Sequence, residues 1–182
     1  MEWMFMPLKR YAEFSGRSRR MEFWMWVLFQ ILIGCVFVVV VMALGGTALM
    51  SGDPTQLLAM GGMIVILYLL YLVVMLAFFI PSLAVTIRRL HDTDRSGWWV
   101  MLYWGPYLFM IFASFALGAS AAGGADPTGD AAMTGGVIAM VASLAWLAGS
   151  LVLLVFMFLE GTRGPNRFGA DPKSPDQGQI FA

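Results

Sequence analysis

Charge is what this sequence has least of. Asp, Glu, Lys and Arg make up 12% of its 182 residues, against about 25% in an ordinary soluble domain. The scarcity is uneven. Residues 23–52, 54–87, 96–125 and 131–159 contain no Asp, Glu, Lys, Arg or His, leaving uncharged runs of 30, 34, 30 and 29 residues. A helix at the surface of a soluble core carries a polar face at a period near 3.6 residues. None of the four runs has a charged face of that kind, which argues against a soluble bundle. Cysteine is nearly absent too. The single Cys35 excludes an intrachain disulfide, and one thiol beside one histidine is too little for a Cys/His metal site. It reads as a small apolar side chain facing lipid or a neighbouring helix. The formal net charge is zero, so no global field draws in nucleic acid and no such partner is expected. There is no serine elbow, no phosphate-binding glycine loop and no second histidine.

What is there is apolar. Hydrophobic residues reach 60% and the mean hydropathy is +0.79. A helix crossing a bilayer needs about 20 apolar residues, and a charge at its centre costs about 2.5–3.5 kcal/mol. Each run is long enough for one crossing. The expected fold is therefore an all-α integral membrane protein with four transmembrane helices, at about 23–44, 59–80, 98–117 and 137–159. Residues 1–182 form a single membrane domain in this reading, with 1–22 an interfacial segment and 160–182 a tail. The first run, from Phe23 to Leu44, is too long for the 7–15-residue apolar region of a cleaved signal and is expected to stay as a span.

The charges outside the runs set the orientation. Lys9, Arg10, Arg17, Arg19 and Arg20 precede the first span, Arg88, Arg89 and Arg95 lie between the second and third, and Arg163, Arg167 and Lys173 follow the fourth. The other two connections hold only Asp53, Asp126 and Asp130. All eleven basic residues thus fall on one side. The positive-inside rule makes that side the cytoplasm and puts both termini there.

Local signals refine the picture. From Pro7 onward, Leu8, Tyr11 and Ser15 share a helical face, which fits a short helix lying on the headgroups; a flexible tail is the equal alternative. Phe14 to Ser18 reads as a turn, with Ser18 available to cap a helix starting near Arg19. Gln30, the one strongly polar side chain of the first span, is expected to bond to another helix, and Gly45-Gly46 to end that helix. Pro81 leaves the Ala77 carbonyl without its helical donor and is expected to divide the second helix into a span and a bent continuation over 82–92. There Arg88 and Asp92 sit four residues apart on one face. Asp94 or Ser96 can cap the next helix. Gly105-Pro106 should loosen the third span, while Trp104 and Tyr107 are deep enough to pack on other helices. Residues 118–136, rich in Gly and Ala, read as a mobile outer loop with no binding site. In the fourth span Ala139/Ser143 and Ala145/Gly149 have the spacing that lets helices approach closely. The last ten residues have a disordered composition.

Three signatures stand out: Phe14-Ser15-Gly16-Arg17-x-x-Arg20-x-Glu22-Phe23-Trp24; Pro81 with Arg88-Arg89-Leu90-His91-Asp92 and Ser96-Gly97-Trp98-Trp99; and Gly164-x-Asn166-Arg167-Phe168-Gly169-x-Asp171-Pro172. As an ordered set they resemble the bacterial inner-membrane family called domain of unknown function 805, the YhaH/YhaI-like proteins, over nearly the whole chain. The resemblance implies a four-span protein of the bacterial inner (plasma) membrane and brings no activity, cofactor or catalytic residue with it.

All three signatures fall on the expected cytoplasmic side. Glu22, Arg88, Arg89, His91, Asp92, Asp94, Arg95, Glu160, Arg163, Asn166 and Arg167 are therefore expected to meet in one layer at headgroup depth. The leading reading of that layer is structural, with acids pairing with arginines and fixing the register of the helix ends. The alternative is a binding module, in which Arg88, Arg89, Arg95, Arg163 and Arg167 hold an anionic phospholipid headgroup or a partner protein. An interfacial enzyme has less support. His91 and Asp92 are adjacent on a helix and diverge, so His91 would need Glu22 or Glu160 to orient it. A transporter needs ionisable groups inside the spans, and there are none. The bilayer is the expected partner, a homo-oligomer is compatible, and no cofactor or metal is expected.

Overall fold

Glu22 and Arg89 mark where the long helices leave the polar layer, one at the start of a helix and the other near the end of one. In the computed structural model, which describes residues 2–51, 53–122 and 129–173, the elements are helices α1 (Glu2–Lys9), α2 (Arg20–Ser51), α3 (Pro54–Asp92), α4 (Met101–Ala122) and α5 (Asp130–Phe158). A 3₁₀ turn, Gly97–Val100, leads into α4. No β-strand occurs among the described residues, and Asn166 and Gly169 form one isolated antiparallel bridge. Four of the helices are long and apolar enough to cross a membrane, over Arg20–Gly46, Leu58–Asp92, Gly97–Ala116 and Met133–Phe158.

The helices outrun the expected spans. α2 does not stop at Gly45-Gly46 and continues to Ser51. Glycine weakens a helix by about 1 kcal/mol in water, but in lipid an unwound backbone has nothing to bond with, so the helix persists. α3 is unbroken through Pro81 for 39 residues, about 58 Å at the usual rise, so the span and its expected continuation over 82–92 belong to one helix. α4 likewise passes through Gly105-Pro106. Both α4 and α5 extend into the stretch expected to be an outer loop, of which residues 123–128 lie outside the described residues, as does most of the tail expected to be disordered. At the start of α3, Asp53 supplies the cap, its carboxylate accepting from the Thr55 amide at 2.9 Å with Pro54 in the first turn.

α2 runs along α3, and α4 along α5. In the first pair Trp26, almost fully buried, donates its indole N–H to the Ser82 hydroxyl at 2.9 Å, and Gln30 reaches the same hydroxyl at 2.7 Å. The expected interhelical bond of Gln30 is thus made. In the second pair the close approach follows Gly135, Ala142 and Gly149, seven residues apart and all buried, while Ala139 and Ala145 face outward. Of the small-residue positions proposed from spacing, Gly149 lies at the contact and Ser143 is half-buried. There α5 sits so close to α4 that a Cβ would collide with the Leu102 carbonyl. Trp104 meets Phe79 edge-on at 4.9 Å, and Tyr107 packs on Trp146. The two pairs join through a cluster of Leu90, Val100, Leu153 and Met157, with Phe23, Trp24 and Tyr103 against it. That cluster lies beside the end where α2 begins and α3 and α5 finish.

α1 precedes and includes Pro7, which is buried, rather than starting from it. It packs on α2 and α3, with Phe5 edge-on to Phe29 at 5.3 Å. Tyr11 lies in the turn beyond it, and its hydroxyl donates to the Ala77 carbonyl at 2.5 Å.

Candidate functional site

Two carboxylates, each shared by two donors, organise the end where the segment before α2, the segment after α5 and the α3–α4 connection gather. Glu22 stands in the first turn of α2. One of its oxygens accepts from Arg88 Nη2 at 2.7 Å and the other from the Ser18 hydroxyl at 2.8 Å. Ser18 therefore turns its side chain to Glu22 instead of to the amides of the helix start. Asp92 ends α3. Its Oδ1 accepts from Arg17, with Nε at 3.0 Å and Nη2 at 2.9 Å, and its Oδ2 accepts from Arg89 Nη1 at 2.5 Å. The expected Arg88–Asp92 pairing along one helix face is not the one made. Arg88 reaches across to Glu22, and Asp92 takes Arg89 and Arg17. All five side chains are buried, with Arg88 and Arg89 at 0% exposure.

Carbonyls complete the arginine shells. Arg88 donates to the Glu13 carbonyl at 3.0 Å, and Arg17 to the carbonyls of Gly164 at 2.6 Å and Thr162 at 2.5 Å. Arg89 donates to the Leu159 carbonyl at the end of α5. A helix C-terminus carries about half a negative charge, so Arg89 meets the end of α5 as well as Asp92. Three cations, two carboxylates and the ends of α3 and α5 bring the layer close to neutrality without a ligand. Among the described residues, the buried Nε atoms of Arg88 and Arg89 lack an acceptor.

The carbonyl end of α3 is closed by donors from both extremities of the chain. Ser18 N donates to the Arg88 carbonyl at 3.1 Å, Arg95 N to Leu90 at 2.9 Å, and Thr162 N to Asp92 at 2.8 Å. The Asn166 amide donates to the His91 carbonyl at 2.9 Å. These are the groups that any helix end leaves unpaired. The α3 end then turns through Asp94 at φ +56°. Gly161 approaches Asp92 so closely that any side chain there would strike the carboxylate.

The remaining expected residues fall around this centre. His91 lies flat on Phe168, with ring centroids 3.9 Å apart and planes 3° apart, and its Nδ1 is 3.2 Å from the Gly16 carbonyl. That carbonyl, rather than Glu22 or Glu160, orients it. Arg167 pairs with Asp94 at 3.1 Å and Glu160 with Arg20 at 3.0 Å, both in exposed positions. Arg95 turns away, with its guanidinium 4.1 Å over the Phe156 ring. Ser96 precedes the 3₁₀ turn without a side-chain cap bond, and Asp94 pairs outward instead. Arg163 is exposed and makes no hydrogen bond or ion pair among the described residues. The layer therefore forms around Glu22, Arg88, Arg89 and Asp92, with His91 and Asn166 against it. Arg163, Arg167, Arg95 and Glu160 lie outside its buried part.

Sequence reasoning left Arg17, Ser18 and Thr162 out of the layer. Arg17 is a fixed position of the first signature, whereas Ser18 falls at one of its unspecified positions. The partners that tie them to the end of α3 lie at least 70 residues away, so no local spacing points to them.

The chain is 35% identical over 173 residues to inner membrane protein YhaI of Escherichia coli (strain K12), covering 95% of this chain and 97% of that protein. It is 31% identical to inner membrane protein YhaH of the same strain, again over 173 residues, 95% of this chain and 98% of that one. No solved structure matches. The family model described as protein of unknown function (DUF805) matches residues 11–170, which begin before the first half of the layer and end after the last of it, and the chain belongs to that family.

Proposed function

We propose that this chain is a multi-pass inner-membrane protein with both termini in the cytoplasm, and that its buried ionic layer is a structural clasp. The clasp holds the N-terminal segment, the end of α3 and the segment after α5 together at headgroup depth. The names of the relatives support the location, and the one-sided placement of all eleven basic residues supports the orientation. One observation carries the clasp reading: Arg17, Arg88 and Arg89 are buried against carboxylates and carbonyls of the chain itself. Guanidiniums engaged in this way are not aimed at a lipid phosphate or a substrate.

Two measurements test the proposal. Alkaline phosphatase fused after Lys173 should be inactive and, placed after Asp53, active; the reverse pattern overturns the orientation. Replacing Arg88 and Arg89 together by alanine should lower the thermal midpoint sharply and leave the co-purifying lipids unchanged. An unchanged midpoint with an altered lipid complement would instead make the layer a lipid site.

A further inference from the structure

Beside the clasp, between the end of α3 and the segment that follows α5, lies a cavity of about 190 Å³. Arg17 and Asp92 form part of its wall, together with Glu160, Arg163, Asp171 and Lys173. We propose that this cavity binds a phosphate-bearing anion, with Arg163 and Lys173 as its charged contacts. The site goes beyond the clasp, which supplies part of its wall, and neither Arg163 nor Lys173 takes part in the buried layer.

The argument rests on which charges are already engaged. Each of the three acids at the cavity has partners. Asp92 lies between Arg17 and Arg89. Glu160 turns to Arg20 at 3.0 Å. Asp171 accepts from the amides of Lys173 at 2.9 Å and Gly164 at 3.0 Å. Arg163 and the Lys173 side chain make no hydrogen bond or ion pair among the described residues, although both line the cavity. The wall holds three cations and three carboxylates; with its acids already engaged by Arg17, Arg89, Arg20 and backbone amides, Arg163 and Lys173 are the cations left to attract an anion. The nearby negative end of α5 is already met by Arg89. Lys173 is held in place because Arg19 donates to the carbonyl of the preceding Pro172. A phosphate oxygen accepts from a guanidinium in a forked geometry and from an ammonium as a point charge. A lipid headgroup and free phosphate share this chemistry, and basic recesses at the cytoplasmic face of membrane proteins take anionic headgroups.

The test uses the full chain with Arg163→Gln and Lys173→Gln combined, and Arg167→Gln as a control, since Arg167 is basic and exposed but pairs with Asp94 outside the cavity. In nanodiscs of phosphatidylcholine with a minor share of phosphatidylglycerol, native mass spectrometry reads retained lipid. In detergent, the thermal midpoint is compared in inorganic phosphate and in chloride at matched ionic strength. A headgroup site predicts retained phosphatidylglycerol, at least tenfold reduced in the double variant and unchanged in the control. A free-phosphate site predicts a midpoint raised by phosphate, lost in the double variant, with no lipid preference. The proposal is overturned if neither anion is preferred, if the double variant binds as the parent does, or if Arg167→Gln weakens binding equally. The double variant without ligand should melt with the parent, which separates this site from failure of the clasp.

Discussion

The hydroxyl of Tyr11 donates to the carbonyl of Ala77 across 2.5 Å, and Ala77 is the residue whose helical donor Pro81 lacks. A proline inside a helix removes one backbone bond, and in a low-dielectric setting the freed carbonyl is costly to leave unpaired. A side chain from outside the helix supplies the missing donor. Tyr11→Phe should therefore lower stability by about 1–2 kcal/mol, read as a drop in thermal midpoint. In a Pro81→Ala background, where the amide is restored, the same change should have little effect. Equal losses in both backgrounds would mean that the tyrosine matters only through packing.

The Glu22–Arg88 pair makes a sharper prediction. Both are buried, so removing one partner leaves the other charge stranded, at about 3–5 kcal/mol. Glu22→Leu alone should unfold much of the protein in mild detergent at temperatures the parent survives. Glu22→Leu combined with Arg88→Met should recover most of the loss, because it is the uncompensated charge that is expensive. A double variant as weak as the single one would show that the carbonyl contacts of Arg88 matter more than its carboxylate.

Glycine positions separate close packing from open space. Gly149→Ala places a methyl against the Leu102 carbonyl of α4, and Gly105→Ala meets nothing within 4 Å. The first should cost about 1–3 kcal/mol through forced separation of α4 and α5, and the second should leave the midpoint unchanged or slightly raised. A cross-link between α4 and α5 that forms as readily in Gly149→Ala as in the parent would contradict the contact.

Acid should loosen the segment after α5 from its own turn. The amides of Lys173 and then Gly164 hold the Asp171 carboxyl below its ordinary value of 3.8, with Arg17 and Lys173 adding to the effect. A depressed carboxyl contributes stability that is full above its unfolded value and is lost as pH falls through the folded one. Hydrogen exchange at Gly164 should therefore accelerate, beyond the intrinsic trend, only below about pH 4. Asp171→Asn should remove that acid dependence.

The fold was largely legible because charge is so costly in lipid that its absence marks each crossing. Boundaries were less so. Gly45-Gly46, Pro81 and Gly105-Pro106 weaken a helix in water, yet α2, α3 and α4 run through them, because unwinding in lipid would leave more backbone groups unpaired than the one that Tyr11 answers at Pro81. Glu22, Arg88, Arg89 and Asp92 could be placed in one layer from topology alone. Who pairs with whom could not, since helical spacing points Arg88 to Asp92 while the real partner enters from α2. His91 is the plainest case. Its chemistry suggested an acid beside it, and only the assembled chain brings Gly16 and Phe168 against the ring.

The capping of α3 by Thr162 and Asn166 has a consequence for biogenesis. These donors leave the ribosome only after the fourth crossing has been made. Until then the first hairpin must wait in the bilayer with the His91 and Asp92 carbonyls of α3 unanswered, a state open to chaperones and membrane proteases. A chain interrupted after Leu159 would have every crossing and no latch, and cells should clear it faster than the finished protein.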